Sequence, residues 1–156
     1  MRIPPEYVRA IEEHARRGHP DEVCGVLIGR GGAEAAVEAV IPVVNGERDA
    51  PRVRYQIAPE DLLRIQRESR ESGRDVVGFY HSHPDHPARP SETDRRIAAE
   101  GISDGVVHVV VSVDAAGRTT PSAWVFRDAT QAFEEEPLAI LDGQRGQEED
   151  GCRSRS

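Results

Sequence analysis

The chain has 156 residues, a formal net charge of −8, and hydrophobic and charged fractions of 37% and 31%. This length suits one domain with its own core, and the acidic balance disfavours a nucleic-acid partner, because phosphate binding needs clustered positive charge. All 20 basic residues are arginine, which excludes a lysine Schiff base and a P-loop lysine. No apolar run approaches the roughly 20 residues that span a bilayer, and the start lacks a signal-peptide pattern, so we expect a cytoplasmic protein without a membrane partner.

Helices and strands alternate along the first half of the chain. Tyr7, Ile11 and Ala15 recur at helical spacing, whereas the apolar run that follows is too short for a core helix and is typical of a buried strand. The Gly31-Gly32 pair predicts a turn between this strand and the next one. The elements predicted here are a helix over 4–17, strands over 23–29 and 35–44, a weaker strand over 53–57 and a helix over 59–72.

The second half continues the alternation and ends in a polar segment. It is predicted to contain a strand over 75–82, a helix over 91–100, strands over 106–113 and 122–126, and a short last strand over 137–141. From 142 to 156 the chain is charged and lacks apolar anchors, so we expect a disordered tail after one domain over 1–141. The alternation predicts an α/β (α+β) fold in which a single mixed β-sheet is flanked by helices.

The only two cysteines are Cys24 and Cys152. Cysteines this far apart form neither a zinc knuckle nor a disulfide framework. Cys24 lies in an apolar run and is predicted to be a buried, inert thiol, whereas Cys152 lies in the polar tail and is expected to be an exposed free thiol.

His81 and His83 are the first part of a candidate metal site. They follow directly on the apolar strand predicted over 75–82, and residues i and i+2 of a strand point to the same face. Their Cα atoms are then about 6.6 Å apart, at about 3.3 Å per residue, so the two imidazoles can converge on one ion. His86 is a rival ligand, but prolines on both sides hinder its turning inward.

The segment Ser91-Glu92-Thr93-Asp94 supplies the second part. Ser91 is well placed to cap the following helix, and Asp94 shares the first turn of that helix. Two imidazoles and one carboxylate leave a fourth tetrahedral position for water, which is the pattern of a catalytic zinc. A helix cap alone would explain Ser91 and Asp94, but it would not explain two histidines on one strand face nearby.

These motifs resemble those of the JAMM metalloproteases, also called MPN-plus proteins. The resemblance rests on His81-Ser82-His83-Pro84, on Ser91-Glu92-Thr93-Asp94 after six intervening residues, and on the upstream segment 22–29, in which a glutamate opens a glycine-ended apolar strand. It extends from residue 3 to 141 and implies the JAB/MPN architecture, a partly barrel-like, cytidine-deaminase-like sheet. The roles it implies are one zinc ion per chain held by His81, His83 and Asp94, Glu22 as general base to a zinc-activated water, and Ser91 as the hydroxyl that steadies the oxyanion.

The short length narrows the resemblance further. The chain has no room for the long insertions of the eukaryotic deubiquitinating members, and residues 19–25 resemble short prokaryotic members that act on ubiquitin-like sulfur-carrier proteins. We therefore expect a hydrolase that cleaves after or near the C-terminal Gly-Gly of a small β-grasp carrier, whose extended tail a strand edge could hold by β-augmentation.

Two other classes remain open on sequence grounds. One is a non-catalytic binding module for a ubiquitin-like partner, in which zinc only stabilises the fold. The other is a non-haem iron oxygenase, which also uses two histidines and one carboxylate. Such sites usually lie in all-β barrels with a further histidine far downstream. His108 is the only later histidine, and three predicted helices disfavour an all-β fold.

Overall fold

One sheet of mixed strand direction forms the centre of the molecule. The structure is a computed structural model that describes residues 1–101 and 104–142. Within these ranges, three helices accompany eight strands. The strands are β1 (Arg2–Ile3), β2 (Cys24–Arg30), β3 (Ala36–Val43), β4 (Asp75–Pro84), β5 (Val107–Val113), β6 (Thr119–Arg127), β7 (Ala132–Glu136) and β8 (Ala139–Ile140), and the helices are α1 (Pro5–Gly18), α2 (Pro59–Glu71) and α3 (Glu92–Glu100).

Strand β4 lies near the middle of the sheet, whose order is β7-β6-β5-β4-β2-β3-β1-β8. It pairs antiparallel with β2 and parallel with β5, and α3 lies in the crossover between β4 and β5. In such a unit the carboxyl end of a strand is where ligands commonly bind. The predicted mixed, partly barrel-like sheet flanked by helices is confirmed as a curled half-barrel.

Two apolar clusters fill the two faces of this sheet. On one face, Ile11 and Ala15 of α1 pack with strand residues such as Val109. On the other, Ile65 of α2 packs with Val26 and its neighbours on β2. Burying both faces stabilises the sheet at about 25 cal/mol per Å² of apolar surface removed from water. Among the described residues, no helix is long and apolar enough to cross a bilayer.

Most predicted elements are confirmed to within a few residues, but one strand is wrong. Residues 53–57 form no strand. The Asn45 side chain accepts a hydrogen bond from the Gln56 amide at 3.0 Å and donates one to the Arg54 carbonyl at 3.0 Å. These bonds satisfy backbone groups that a neighbouring strand would otherwise have to pair. The short strands β1 and β7 were not predicted, and the last strand is confined to Ala139–Ile140.

The predicted burial of Cys24 is confirmed. The residue is fully buried within β2, and burial raises the pKa of its thiol to about 12, so it is protonated and unreactive near neutrality. The predicted disordered tail (142–156) and the exposed Cys152 lie outside the described residues, apart from residue 142, and the domain boundary at 141 stays a prediction.

Candidate metal centre

The two histidines of β4 lie side by side at the end of the strand. The strand continues to Pro84, beyond the predicted end, so both residues are held by its pairing with β5. Their side chains share one face, as alternation along a strand requires, and both are buried. The Nε2 atoms of His81 and His83 are 3.1 Å apart.

The third donor comes from the first turn of α3. Ser91 is the N-cap of this helix, and its hydroxyl accepts a hydrogen bond from the Asp94 amide at 3.1 Å, while the Asp94 carboxylate accepts one from the Ser91 amide at 2.7 Å. This capping box fixes the side chain of Asp94. As a result, Asp94 Oδ2 lies 3.2 Å from His83 Nε2 and 3.4 Å from His81 Nε2.

The three donor atoms fit one small divalent ion. A tetrahedral ion with ligand bonds of about 2.0–2.1 Å holds its ligand atoms about 3.3 Å from one another. The three distances between the donors, 3.1, 3.2 and 3.4 Å, agree with that spacing. The predicted convergence of His81, His83 and Asp94 into a group able to hold a metal is confirmed. Neither His86 nor His108 belongs to this group among the described residues.

Neighbouring groups orient both rings, and sequence reasoning did not identify them. His83 Nδ1 lies 2.9 Å from the Pro87 carbonyl, to which it donates, and this leaves the Nε2 lone pair facing the other donors. The His81 ring stacks on Tyr55, with ring centroids 4.5 Å apart and an interplanar angle of 22°. Tyr55 lies in the segment that was wrongly predicted as a strand.

The charges of the centre are strongly coupled. Burial lowers the pKa of His81, against the opposing effect of the Asp94 carboxylate. Burial alone would also lower the pKa of His83, but its hydrogen bonds to Asp94 and to the Pro87 carbonyl outweigh this and raise it. Burial alone would raise the pKa of Asp94, but the two histidines hold it well below its usual range. Asp94 is therefore an anion, as a metal ligand must be.

A clamp from β6 fixes the loop that carries Pro87. The Trp124 indole Nε1 donates to the Ala88 carbonyl at 3.2 Å and to the Ser122 hydroxyl at 2.7 Å. The Ser122 hydroxyl donates to the same Ala88 carbonyl. The peptide next to Pro87 is thus held from β6, and through it the carbonyl that orients His83.

Glu22 lies beside this centre, two residues before the start of β2. Its backbone amide donates to the Pro51 carbonyl at 2.7 Å, and its carbonyl accepts from Asn45 Nδ2 at 3.1 Å. The residue is 5% exposed. Burial raises the pKa of its carboxyl to about 8; His83 lowers this pKa and Asp94 raises it, each by less than burial does. A buried carboxyl with a pKa near neutrality is typical of proton-transfer sites.

Glu22, His83 and Ser91 face the same open groove. The groove has a volume of about 600 Å³. The remaining residues that line it are Val53, Arg54, His86, Pro87, Arg89, Pro90, Thr93 and Arg96. The Ser91 hydroxyl also lies 2.9 Å from Asp94 Oδ2, to which it donates. Because a hydroxyl rotates freely about its Cβ–Oγ bond, the same group can turn toward the groove.

Fold and site together define an α/β protein whose central strand and capped helix carry a two-histidine, one-carboxylate centre. The family model described as prokaryotic homologs of the JAB domain matches residues 4–127. The match covers well over half of the chain, so the chain belongs to this family. The resemblance inferred from the motifs is confirmed.

Relatives and a solved structure agree with this assignment. A desampylase of Haloferax volcanii is 41% identical over 132 residues, which are 80% of this chain and 90% of that protein. A CysO-cysteine peptidase of Mycobacterium tuberculosis is 40% identical over 98 residues, 63% of this chain and 65% of that protein. A JAB1/MPN domain protein of Archaeoglobus fulgidus shares the fold, with a TM-score of 0.55 at 22% identity, over 91% of this chain and 100% of that one.

Proposed function

We propose that the protein is a zinc-dependent hydrolase that acts in the cytoplasm and cleaves at the C-terminal tail of a ubiquitin-like or sulfur-carrier protein. The observation that carries the proposal is the triad of His81, His83 and Asp94 beside the buried Glu22, all at one end of β4. Its relatives named desampylase and CysO-cysteine peptidase support hydrolysis and this class of substrate.

Zinc is the metal that this donor set suits best. Two imidazoles and one carboxylate beside an open groove are a donor set that would suit a catalytic zinc. Non-haem iron uses similar ligands, but the family to which the chain belongs favours the hydrolase. When bound, zinc supplies Lewis-acid chemistry, since it lowers the pKa of water and polarises a carbonyl group.

Glu22 is the proposed general base and acid. It accepts a proton from the attacking water and delivers it to the departing amine, and a pKa raised toward neutrality suits both steps. Ser91 is the proposed oxyanion donor, for which its hydroxyl turns from Asp94 to the developing negative charge. The β4 histidines and Asp94 keep their positions throughout, since strand pairing and the helix cap hold them.

A module that binds zinc only to stabilise its fold would have no use for Glu22 in this position. Among the described residues, Glu22 Oε2 is buried and has no hydrogen-bond partner. Burying a carboxyl group without a partner costs stability. A cost of this kind is expected where the group serves catalysis, and it favours the enzyme over the binding module.

Cleavage of defined adducts tests this function. The zinc-loaded protein is incubated with a β-grasp carrier that bears cysteine, or a short peptide, on its C-terminal Gly-Gly, and products are read by mass spectrometry. We expect the wild type to release the carrier ending in Gly-Gly, and Glu22→Gln, whose amide has the shape of the carboxyl it replaces, to release it at least about 100-fold more slowly. An intact mass for every adduct after prolonged incubation would overturn the proposal.

A further inference from the structure

The groove beside the metal centre is basic although the chain as a whole is acidic. The net charge is −8, yet three arginines, Arg54, Arg89 and Arg96, line this one groove, and among the described residues that line it the one carboxylate is that of the buried Glu22. The three come from different parts of the chain: the loop before α2, the proline-rich loop after β4, and α3. The fold therefore gathers positive charge here that is dispersed in the sequence.

The guanidinium groups of these arginines are available to a ligand. Across residues 1–101 and 104–142, none of the three forms an ion pair. Two of them have a carboxylate nearby: backbone hydrogen bonds and, more weakly, the charge of Arg54 lower the pKa of Glu47, and Arg95 and, more weakly, Arg96 lower the pKa of Glu92. Both acids nevertheless make their hydrogen bonds to other groups. Glu47 accepts hydrogen bonds from two backbone amides, those of Asp49 and Ala50, and Glu92 forms a two-point ion pair with Arg95 at 2.6 and 2.9 Å.

The groove also contains an exposed apolar side chain among its three arginines. Val53 lines the groove with 54% of its surface exposed. Arginine is enriched in protein-binding surfaces, and an exposed apolar side chain beside it adds contact area for a partner. The volume of about 600 Å³ is large enough for several residues of an extended chain.

We propose that Arg54, Arg89 and Arg96 select a protein substrate that carries carboxylates beside the extended tail to be cleaved; this rests on the proposed function. An acidic partner is repelled at long range by a chain of charge −8, so recognition needs a local region of opposite sign. Arginine suits this role because its planar fork binds carboxylates at two points. The three arginines thus favour substrates with acidic residues beside the tail over substrates with neutral or basic residues there.

Peptide binding tests the selection without requiring turnover. Two labelled 12-residue peptides ending in Gly-Gly are compared on the Glu22→Gln protein by fluorescence anisotropy at low salt. One peptide has four glutamates before the Gly-Gly, and the other has glutamines there. We expect the acidic peptide to bind about 10-fold more tightly, given the modest strength of each exposed ion pair, and the preference to fade at high salt as charges are screened.

Two matched triple variants locate the effect. Changing Arg54, Arg89 and Arg96 to glutamine should abolish the preference. Changing Arg9, Arg67 and Arg70, which are exposed on α1 and α2 outside the groove, alters net charge equally and should leave it intact. Equal affinity for both peptides, no binding of either, or the same preference in the groove variant would overturn the proposal. Failure of the proposed function would instead show as wild-type protein that cleaves no carrier adduct while the charge preference persists.

Discussion

Histidines on neighbouring strands of this sheet have opposite environments. His81 and His83 on β4 converge on the carboxylate of Asp94. His108 on β5 lies on the same sheet face, since its register partner is Phe79, but its ring packs between Phe79 and Phe133, with centroids 5.9 and 5.2 Å away. Burial lowers the pKa of His108 to about 4. In this sheet, the buried histidines that are candidate metal ligands are those next to the Asp94 carboxylate, which the N-terminal cap of α3 holds in place.

Removing that carboxylate should have the largest effect. In Asp94→Asn the amide oxygen can still accept from the Ser91 amide, so the cap is kept while the anionic ligand is lost. We expect zinc affinity to fall by more than about 100-fold, since even the loss of a group that only orients a ligand costs about 10- to 100-fold. Competitive titration with a chromophoric chelator measures it. Glu92→Gln removes the same charge from the same helix turn and serves as the control; wild-type affinity in Asp94→Asn would refute the assignment.

Glu22→Gln should abolish most turnover without affecting metal binding. Glu22 is outside the triad, so we expect one zinc per chain to remain bound. Loss of the proton-transfer group should lower turnover by about 10²- to 10⁴-fold. Elemental analysis and a cleavage assay on the same preparation give both values. Turnover at the wild-type rate with zinc bound would show that another group transfers the proton.

His108→Phe should change the pH dependence of stability and leave metal binding alone. The pKa of His108 is about 4 in the folded protein and 6.5 ordinarily. Between these values only the unfolded chain takes up the proton, so stability is fully present above pH 6.5 and is lost as the pH falls toward 4. The free energy of unfolding of the wild type should fall by about 3 kcal/mol from this histidine over that range. The His108→Phe variant should not show this fall.

Denaturant unfolding of the metal-free protein at several pH values between 4 and 7 measures this difference. His86→Gln, which removes an exposed histidine instead of a buried one, is measured alongside as the control. Parallel pH profiles for the wild type and His108→Phe would contradict the role assigned to burial, and loss of zinc from His108→Phe would make this histidine part of the centre.

Trp124→Phe should give the smallest effect. It removes the indole donor to the Ala88 carbonyl and so loosens the loop that orients His83. We expect zinc affinity to fall by about 10-fold, the smallest loss typical of groups that only orient a metal ligand. Tyr7→Phe also removes one bond to a backbone carbonyl, that of Glu38, at a site remote from the centre, and should bind zinc as the wild type does. An unchanged affinity in Trp124→Phe would show that the clamp has no part in orienting His83.

The features that sequence predicts well here are local. Alternation along a strand places His81 and His83 on one face, and the spacing from Ser91 to Asp94 makes a capping box, so the three donors could be named before any fold was known. Both patterns involve residues at most three positions apart. Their convergence needed only a tight return of the chain between β4 and α3.

Contacts between distant segments could not be predicted in this way. Tyr55 stacks on His81, and Trp124 holds the loop next to Pro87, although each lies more than 20 residues from its partner. The strand predicted over 53–57 is wrong for the same reason: the side chain of Asn45, from another segment, forms hydrogen bonds with its backbone. Nothing within a short window of sequence signals any of these contacts.

Crystals of the zinc-loaded protein, measured on both sides of the zinc absorption edge, test the central claim most directly. We predict one anomalous peak per chain, about 2.0–2.2 Å from Nε2 of His81, Nε2 of His83 and Oδ2 of Asp94. A peak that lies instead at His86 or His108, or no peak near the end of β4 at full zinc loading, would contradict it.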